Sequence, residues 1–393
     1  MGETTTREVA IIGVGQTRFG DHLNVGADEL FAQAFREAVA DAEKGLDPRL
    51  IQQAYIGTLG VGGGQLGNFA ALVGDAAGLT GIPITRVENA CASSGFAFRS
   101  AFLAIASGIC DVALAGGIEK MRDLQPERLR YWLGVSGDTE WERLAGMTFA
   151  GIYALMAQRH IHQYGTKEEQ LHMVAVKNHK YGAENPKAHL QRAITLEQAT
   201  KATPVCQPLR LFDCCPTSDG ASAAILCHSA IAKKFTDSPI RVLGSGAGTD
   251  RLALFQREDF TTLNASVRAA KQAYSMAGLE PKDISLAEVH DCFTIAEIMA
   301  YEDLGFCKKG EGGKLVEEGQ TYIGGKISIN ASGGLKAKGH PIGATGVGQI
   351  YEITKQLRGR AEKSSRQVPN PRCGLAHNVG GSGATAVVHI LGT

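Results

Sequence analysis

The sequence has no excess of charge of either sign, because its 40 lysine and arginine residues balance 40 aspartate and glutamate residues. A formally neutral chain gives no overall electrostatic reason to bind nucleic acid or an anionic membrane. No apolar run approaches the roughly 20 residues that span a bilayer, and no charged-then-apolar signal sequence opens the chain. Its end, LGT, is not a peroxisomal address. We therefore expect a cytoplasmic protein without nucleic-acid or membrane partners.

Motifs of common cofactor and metal sites are missing as well. The nine cysteines are odd in number and form no CxxC pair, so we predict neither a disulfide framework nor a zinc site. GVGQTRFG (13–20) misplaces the third glycine of a dinucleotide fingerprint, and no GxxxxGK[ST] loop occurs. The start MGETTT fits the loose myristoylation pattern, but so short a pattern often matches by chance. We predict no metal and no nucleotide cofactor.

Glycine, in contrast, is abundant, with 49 residues that cluster after apolar runs. Such clusters suggest tight strand-to-helix turns. VAIIGVG (9–15) precedes apolar residues at helical spacing over 30–42, and DVALAGG (111–117) follows a helix-like segment that Gly108 would cap. Alternating strands and helices predict a layered α/β fold with a mostly parallel sheet.

A long-range repeat divides the chain into two copies. RVLGSGAG (241–248) parallels the first apolar run, and GLEPKDISLAEVH (278–290) parallels GLDPRLIQQAYIG (45–57). NASGGLK (330–336) likewise parallels NACASSG (89–95). Such a repeat predicts two similar α/β units packed as halves of one pseudo-symmetric body.

The repeat also predicts the division of the chain. We expect an N-terminal half over 1–237 and a C-terminal half over 238–393, with an insertion at about 119–200 that has no counterpart. This insertion is rich in charged residues and histidine and contains both tryptophans. A long insertion in a compact fold is usually a functional lid or an interface, and a small helical layer is compatible with both.

The first residue that could carry chemistry is Cys91, in the stretch VENACASSGFAF (87–98). If a strand ends before it and a helix begins after it, unpaired N–H groups and the helix dipole would favour the thiolate. Its small neighbours would let a substrate approach. A buried structural cysteine is the alternative.

Three further turns carry cysteine or histidine. AEVHDCFTIAEI (287–298) places His290 and Cys292 where an apolar run ends, so that the two side chains can share one face. KAKGHPIGATGVGQ (336–349) places His340 beside a proline and between glycines that allow a tight loop. GLAHNVGGSGATAVVHI (374–390) places His377 before the Gly380-Gly381 pair, whose N–H groups could bind an oxygen or only form a turn.

The repeat places these four turns at strand ends, where α/β sheets usually bind ligands. A thiol nucleophile with nearby bases explains four such turns better than chance does. Metal binding is the rival hypothesis, but the adjacent Cys214 and Cys215 with Cys206 lack the usual spacing.

The motifs NACASSG, HDCF, GHPIGATG and HNVGGSG, in this order on a duplicated α/β chain, resemble those of the thiolases. HDCF in particular resembles the sterol-carrier-protein-2 type. The resemblance covers almost the whole chain, including KNH…NP (177–186) and DCCPTSDGASAAIL (213–226). It implies a five-layered αβαβα fold, in which each half contributes a sheet around buried central helices and an inserted loop domain covers an acyl-CoA.

The resemblance also implies an activity, the exchange of acyl groups between coenzyme A and 3-oxoacyl-CoA thioesters, with coenzyme A as co-substrate and no resident cofactor. Cys91 would then be the nucleophile and His340 the base that activates it. His290 with His340 would polarise the thioester oxygen of the enolate. The backbone N–H groups of Cys91 and of the Gly380-Gly381 loop would hold the oxyanion formed at the attacked ketone.

One departure from many thiolases changes an assignment. Those enzymes carry an acid/base cysteine in a final CxG loop and an asparagine in an NEAF loop, whereas this chain has HNVGG and HDCF. Cys292 therefore inherits the proton-transfer role, and His377 is expected to line the site. A condensing ketoacyl synthase is an alternative that HDCF and GHPIGATG disfavour, and a non-catalytic acyl-CoA-binding or scaffold subunit is another.

The substrate and the partners follow least directly from the residues. MRDLQPERLRYW (121–132) carries Arg122, Arg128 and Arg130, one of which could pair with a second carboxylate on a bulky or aromatic substrate such as benzoylsuccinyl-CoA. Coenzyme A phosphates or a solvated face are the other interpretations. An acetoacetyl-CoA-forming acetyl-CoA acetyltransferase is the alternative activity. The resemblance implies a homodimer or dimer of dimers, with a small zinc-ribbon and OB-fold accessory subunit as an open alternative.

Overall fold

The computed structural model describes residues 7–393 of the chain, so the myristoylation pattern at its start lies outside the described residues. The strands are β1 Val9–Gln16, β2 Gln53–Gly57, β3 Ile84–Val87, β4 Val112–Glu119, β5 Pro204–Cys206, β6 Leu209–Arg210, β7 Gly220–His228, β8 Ile240–Thr249, β9 Leu286–Glu288, β10 Ser328–Ile329, β11 Cys373–Gly380 and β12 Thr385–Gly392.

The helices are α1 Ala27–Asp41, α2 Phe69–Ala76, α3 Ser93–Ala106, α4 Pro126–Gly134, α5 Phe149–Tyr164, α6 Glu168–Ala183, α7 Leu196–Thr200, α8 Ser229–Ala232, α9 Asn264–Ala277, α10 Thr294–Asp303, α11 Gly312–Glu317, α12 Gly334–Lys338 and α13 Thr345–Leu357. A short π-helix covers Thr139–Arg143, and 3-10 turns cover Pro48–Leu50, Leu211–Asp213, Leu254–Gln256, Pro281–Asp283 and Ser364–Arg366.

Ten strands form one sheet in the order β10-β9-β11-β12-β8-β1-β7-β4-β2-β3. Each half of the chain supplies five neighbouring strands, and β1 joins β8 where the halves meet. Within each half four of the five strands run in the same direction, as predicted, but β7 lies antiparallel between β1 and β4, and β12 lies antiparallel between β8 and β11. Only the outer strands of each half pair in parallel. The two sheets that the resemblance implied are therefore continuous at their shared edge.

Helices pack on this sheet in the αβαβα order that the resemblance implied. In the N-terminal half α1 covers β1 and β7, and in the C-terminal half α9 covers β8 and β12. Between the halves, α3 and α13 pack against each other and against strands of both. The outer helices α1 and α9 and the central helices α3 and α13 bury their apolar faces against the sheet, and these buried faces form the cores of the two halves.

Glycine in the strands explains how closely the outer helices approach. A Cβ on Gly15 of β1 would lie 2.1 Å from the Ala34 carbonyl oxygen of α1, and a Cβ on Gly246 of β8 would lie 2.0 Å from the Ala269 carbonyl oxygen of α9. Real side chains do not reach such distances, so both contacts require glycine. The glycine clusters that we attributed to turns therefore serve strand-to-helix packing as well.

Residues 120–219 connect β4 to β7, whereas four residues connect the corresponding β11 and β12. This connection contains α4 to α7 and ends beside the HDCF and GHPIGATG motifs. There Cys214 forms an isolated β-bridge with Phe293, and Thr217 forms one with His340. The predicted boundaries of the two halves and of the insertion stay predictions. No helix in residues 7–393 has the length and apolar character needed to cross a membrane.

Candidate active site

A cavity of about 130 Å³ lies between the insertion and the two halves of the chain. Its wall is mainly apolar, but Cys91, Cys292 and His340 all reach it. The remaining lining residues are Met121, Leu133, Ser136, Phe149, Tyr153, Cys215, Pro216, Thr217, Phe293, Ile342 and Gly381. The fold thus brings residues from distant motifs to one apolar chamber.

Cys91 lies in the short loop between β3 and α3, directly before the residue that caps the helix. Its neighbour Ala90 adopts a left-handed backbone with φ of 49°, a conformation that non-glycine residues rarely take. Burial raises the pKa of the Cys91 thiol to about 12, although a hydrogen bond from the Gly381 N–H lowers it in part. Cys91 thus lies at the start of the helix as predicted, but burial acts against its thiolate, and the favourable effect of the helix terminus stays a prediction. Cys91 needs a base.

His340 can supply that base because of how its ring is held. Its Nδ1 lies 2.7 Å from Thr345 Oγ1, and this hydroxyl donates its own hydrogen to the Pro341 carbonyl oxygen at 2.9 Å. Thr345 must then accept from Nδ1–H, which leaves a lone pair on Nε2. Nε2 has no hydrogen-bond partner among the described residues. Burial lowers the pKa of His340 to about 3, so its ring is neutral at physiological pH.

His290 carries the opposite arrangement of protons. Asn378 Nδ2 donates to the Cys91 carbonyl oxygen at 3.0 Å, which fixes the orientation of the amide, and to His290 Nδ1 at 3.2 Å. Because Nδ1 accepts, the proton of the neutral ring is on Nε2, which has no partner in the described part of the chain. Burial and the neighbouring His340 hold the pKa of His290 well below its usual value.

Cys91 Sγ and one ring nitrogen each of His290 and His340 lie within 4.8 Å of one another, a spacing that could hold a metal ion. Short sequence spacings could not reveal this group, because its members are far apart in the chain. A metal would need the Nε2 lone pair of His290, but the Asn378 hydrogen bond puts a proton there. The arrangement therefore favours an anionic oxygen as the ligand of His290, and the absence of a metal stays a prediction.

The HDCF turn follows β9 and precedes α10, as the repeat predicted. Burial raises the pKa of Cys292 well above its usual value, and the neighbouring Cys215 and Cys91 raise it further. Asp291 stands between His290 and Cys292 in the turn. It accepts hydrogen bonds from the backbone N–H groups of Leu335 and Lys336, at 2.7 and 3.1 Å. This carboxylate therefore ties the HDCF turn to α12, the helix that leads to His340.

A second buried carboxylate, Glu119 at the end of β4, supports the His340 loop from the other side. It accepts backbone N–H groups from Leu59, Gly60 and Val61 at 2.8–2.9 Å, and from Gly343 at 3.1 Å. Burial raises its pKa. Sequence reasoning missed this residue, because its partners are distant in the chain and most belong to no recognised motif.

Two models of protein families match the chain. "Thiolase, N-terminal domain" matches residues 9–230, and "Thiolase C-terminal domain-like" matches residues 246–393. Together they cover every residue that lines the cavity. The chain belongs to the thiolase family.

Curated relatives agree over nearly the whole chain. An acetyl-CoA acetyltransferase of Methanothermobacter thermautotrophicus is 47% identical over 98% of this chain and 99% of its own length. Sterol carrier protein 2 of Homo sapiens is 35% identical over 98% of this chain and 72% of its own. Benzoylsuccinyl-CoA thiolase subunit BbsB of Thauera aromatica is 35% identical over 95% of both chains. The resemblance to thiolases and to the sterol-carrier-protein-2 type is confirmed, and this thiolase is an enzyme.

A solved structure gives the same fold. An Ltp2-ChsH2(DUF35) aldolase superposes with a TM-score of 0.86 at 27% identity, over 99% of this chain and 98% of that chain. This neighbour was solved together with a DUF35 subunit.

The structure of this thiolase does not place every predicted residue in the cavity. His377 is buried within β11 with its Nε2 2.8 Å from Ser266 Oγ, behind His290 rather than in the wall. His290 is also outside the wall, although it lies close to Cys91. Gly381 reaches the cavity, but Gly380 does not. His340 lies between two helices and His377 inside a strand, so the expectation that all four turns occupy strand ends is wrong.

None of the three arginines of α4 and its approach lines the cavity. Arg122 comes nearest, since its Nη1 lies 3.1 Å from Thr217 Oγ1, but Asp21 pairs with it at 2.5 Å. Arg130 pairs with Glu127 at 3.3 Å on the exposed surface, and Arg128 is also exposed. The observed contacts therefore give no arginine in position to bind a carboxylate inside the cavity.

Proposed function

We propose that this thiolase transfers acyl groups between coenzyme A and a 3-oxoacyl-CoA through an acyl-Cys91 intermediate. The observation that carries the proposal is that the two histidines beside the Cys91 sulfur have opposite hydrogen-bond partners, a hydroxyl that accepts at His340 and an amide that donates at His290. His340 offers a lone pair that can accept the thiol proton, and His290 offers an N–H that can stabilise a developing oxyanion. Coenzyme A is a co-substrate, and no step needs a resident cofactor.

In the first half-reaction His340 takes the proton of Cys91, and the sulfur attacks the 3-keto carbon. The N–H groups of Cys91 and Gly381 hold the oxyanion at that carbon. The carbon–carbon bond then breaks, and the enolate oxygen accepts from Nε2–H of His290 and of the now protonated His340. Cys292 gives its proton to the enolate carbon, which releases that fragment as its own coenzyme A thioester (acetyl-CoA when the substrate is acetoacetyl-CoA), leaves the shortened acyl group on Cys91 and leaves a Cys292 thiolate.

In the second half-reaction the Cys292 thiolate takes the proton of incoming coenzyme A. The coenzyme A thiolate attacks the acyl group on Cys91, and the Cys91 sulfur leaves with its electron pair. The protonated His340 returns its proton to that sulfur, so all groups regain their starting state. One thiol thus serves as acid in one half-reaction and as base in the other.

The cavity favours acetyl transfer, with acetoacetyl-CoA formed or cleaved. A chamber of about 130 Å³ with an apolar wall suits a short acyl chain, and the acetyl-CoA acetyltransferase relative is 47% identical. A bulky aromatic substrate such as benzoylsuccinyl-CoA is the second candidate, supported by the BbsB relative. The lack of an arginine in the wall counts against a substrate that carries a second carboxylate there.

Mass spectrometry of the intact protein tests this proposal. The protein is exposed briefly to acetyl-CoA, acetoacetyl-CoA or benzoyl-CoA in parallel, with Cys91→Ser as the control. We expect an acetyl adduct that is lost in the control and a weaker adduct from benzoyl-CoA. An adduct that persists in Cys91→Ser would contradict the nucleophile, and a stronger benzoyl adduct would contradict the acetyl preference.

A homodimer is part of the proposal. The outer edge of β3 pairs with no strand of the described residues, and this edge strand leads directly into the Cys91 loop. Free strand edges invite pairing with another chain, and a second copy there would shield the catalytic loop. An accessory subunit is the further candidate, because the aldolase neighbour was solved with a DUF35 subunit and BbsB is itself a subunit.

A further inference from the structure

Tyr153 is a cavity residue that the reaction described above does not use. It belongs to α5 of the insertion and is only 1% exposed. Its ring stacks on Phe293, the residue after Cys292, with ring centres 4.8 Å apart and an angle of 26° between the planes. The ring therefore has a fixed position next to the HDCF turn.

The hydroxyl of Tyr153 lies between the two loops that carry out the chemistry. It donates to the Gly381 carbonyl oxygen at 3.2 Å, and the N–H of the same residue faces Cys91. Tyr153 and Cys292 line the same cavity, and the nearby Tyr153 hydroxyl lowers the pKa of Cys292. One hydroxyl thus bonds to the oxyanion loop and lies near the acid/base thiol.

Cys292 needs such a contact, because its other surroundings disfavour a thiolate. Burial and the neighbouring Cys215, Cys91 and Asp291 all raise the pKa of Cys292, whereas a hydrogen bond donated by the Tyr153 hydroxyl acts in the opposite direction when it forms. A hydrogen bond to an ionised group is stronger than one to a neutral group. Tyr153 therefore stabilises the ionised form of Cys292 more than its neutral form.

We propose that Tyr153 is a positioning residue that holds the thiolate of Cys292 during turnover. In the resting enzyme its O–H donates to the Gly381 carbonyl oxygen. When Cys292 gives its proton to the enolate carbon, the hydroxyl rotates and donates to the sulfur, and Tyr153 itself keeps its proton. The inference rests on the proposed proton-transfer role of Cys292.

Site-resolved alkylation tests this inference without turnover. Iodoacetamide is added at pH 8 to the full chain in the Cys91→Ser background, with and without Tyr153→Phe, and the peptides of Cys292 and Cys215 are followed by mass spectrometry. A pKa rise of about one unit would cut the thiolate fraction about tenfold while raising its intrinsic nucleophilicity, so we expect Cys292 to react about threefold more slowly. Cys215, in the same cavity, should react at an unchanged rate.

Tyr274→Phe is the matched control. The Tyr274 hydroxyl donates to the Leu304 carbonyl oxygen at 3.1 Å, outside the cavity, so this variant loses a similar hydrogen bond without touching Cys292. An unchanged Cys292 rate in Tyr153→Phe overturns the inference, and so does an equal slowing of Cys215 or the same effect in Tyr274→Phe.

A second variant replaces Tyr153 by 3-fluorotyrosine, which keeps the ring and makes the hydroxyl a stronger donor. We expect faster alkylation of Cys292, and an unchanged rate would overturn the inference even if Tyr153→Phe does not fold. A tyrosine effect without any acyl-Cys91 would support the hydrogen bond from Tyr153 to Cys292 and contradict the proposed function, so the two failures are distinguishable.

Discussion

The HDCF turn and the GHP loop each bring one buried histidine to the same sulfur, and the two histidines have hydrogen-bond partners of opposite kinds. Burial lowers the pKa of both rings, so both are neutral. The difference comes from their hydrogen-bond partners, since Asn378 donates to His290 whereas Thr345 accepts from His340. A single amide and a single hydroxyl therefore decide which ring presents an N–H at Nε2 and which presents a lone pair there.

The largest effects on kcat that we predict come from replacing His290 or His340 by glutamine, and the two replacements should differ. A glutamine amide can donate a hydrogen bond from a position close to that of Nε2 but cannot act as a base. We expect kcat to fall about 100- to 10,000-fold in His340→Gln, because general base catalysis is lost. His290→Gln keeps a donor and should lose about tenfold, well below the 100- to 1,000-fold cost of removing an oxyanion donor.

Steady-state kinetics with acetoacetyl-CoA and coenzyme A measures both variants, and His290→Ala serves as the control that removes the donor. Equal losses in the two glutamine variants would contradict the assigned roles. A larger loss in His290→Gln than in His340→Gln would reverse them.

A change at Thr345 should have a smaller effect on kcat and tests the difference between the two histidines through a hydrogen-bond partner. Thr345→Val keeps the shape of the side chain but removes the oxygen that accepts from His340 Nδ1–H. The proton can then move to Nε2, where it takes up the lone pair that is proposed to act as the base. We expect kcat to fall about tenfold, in line with the loss of a group that orients a ligand or base. Thr345→Ser retains the oxygen and should keep most of the activity; a comparable loss in the serine variant would show that packing, not the hydrogen bond, matters.

The sequence identified the cysteines and histidines that the structure brings together better than the residues that orient them, and the chemical roles of all of them stay predictions. Cys91, His290, Cys292 and His340 stand in short motifs, and the repeat placed the HDCF turn correctly between strand and helix. Thr345 and Asn378 stand in the same motifs, but their roles depend on contacts such as that of Asn378 with Cys91, 287 positions away. Local pattern carries no information on such contacts.

The prediction of the fold from the sequence had the same limit. The repeat predicted two similar halves, and the αβαβα order followed from the resemblance that its motifs carry. The antiparallel insertion of β7 beside β1 could not be predicted, because about 200 residues separate the paired positions Gln16 and Ser222, and strand direction is set by the connection between strands. The same reasoning explains why Tyr153, which reaches the cavity from the insertion, was missed.

The last effect that we predict concerns stability in acid rather than activity. The pKa of His340 falls from 6.5 to about 3 on folding, so between these values the unfolded chain binds a proton that the folded chain does not. Stability from the neutral ring is therefore full above pH 6.5 and decreases as the pH falls towards 3, by at most about 1.4 kcal/mol per pH unit for each such histidine. Urea unfolding of the wild type and of His340→Gln at pH 7.5 and 4.5 measures this term. We expect the free energy of unfolding to fall less on acidification in His340→Gln than in the wild type. Equal losses in the two proteins would contradict the idea that burial keeps the His340 ring neutral.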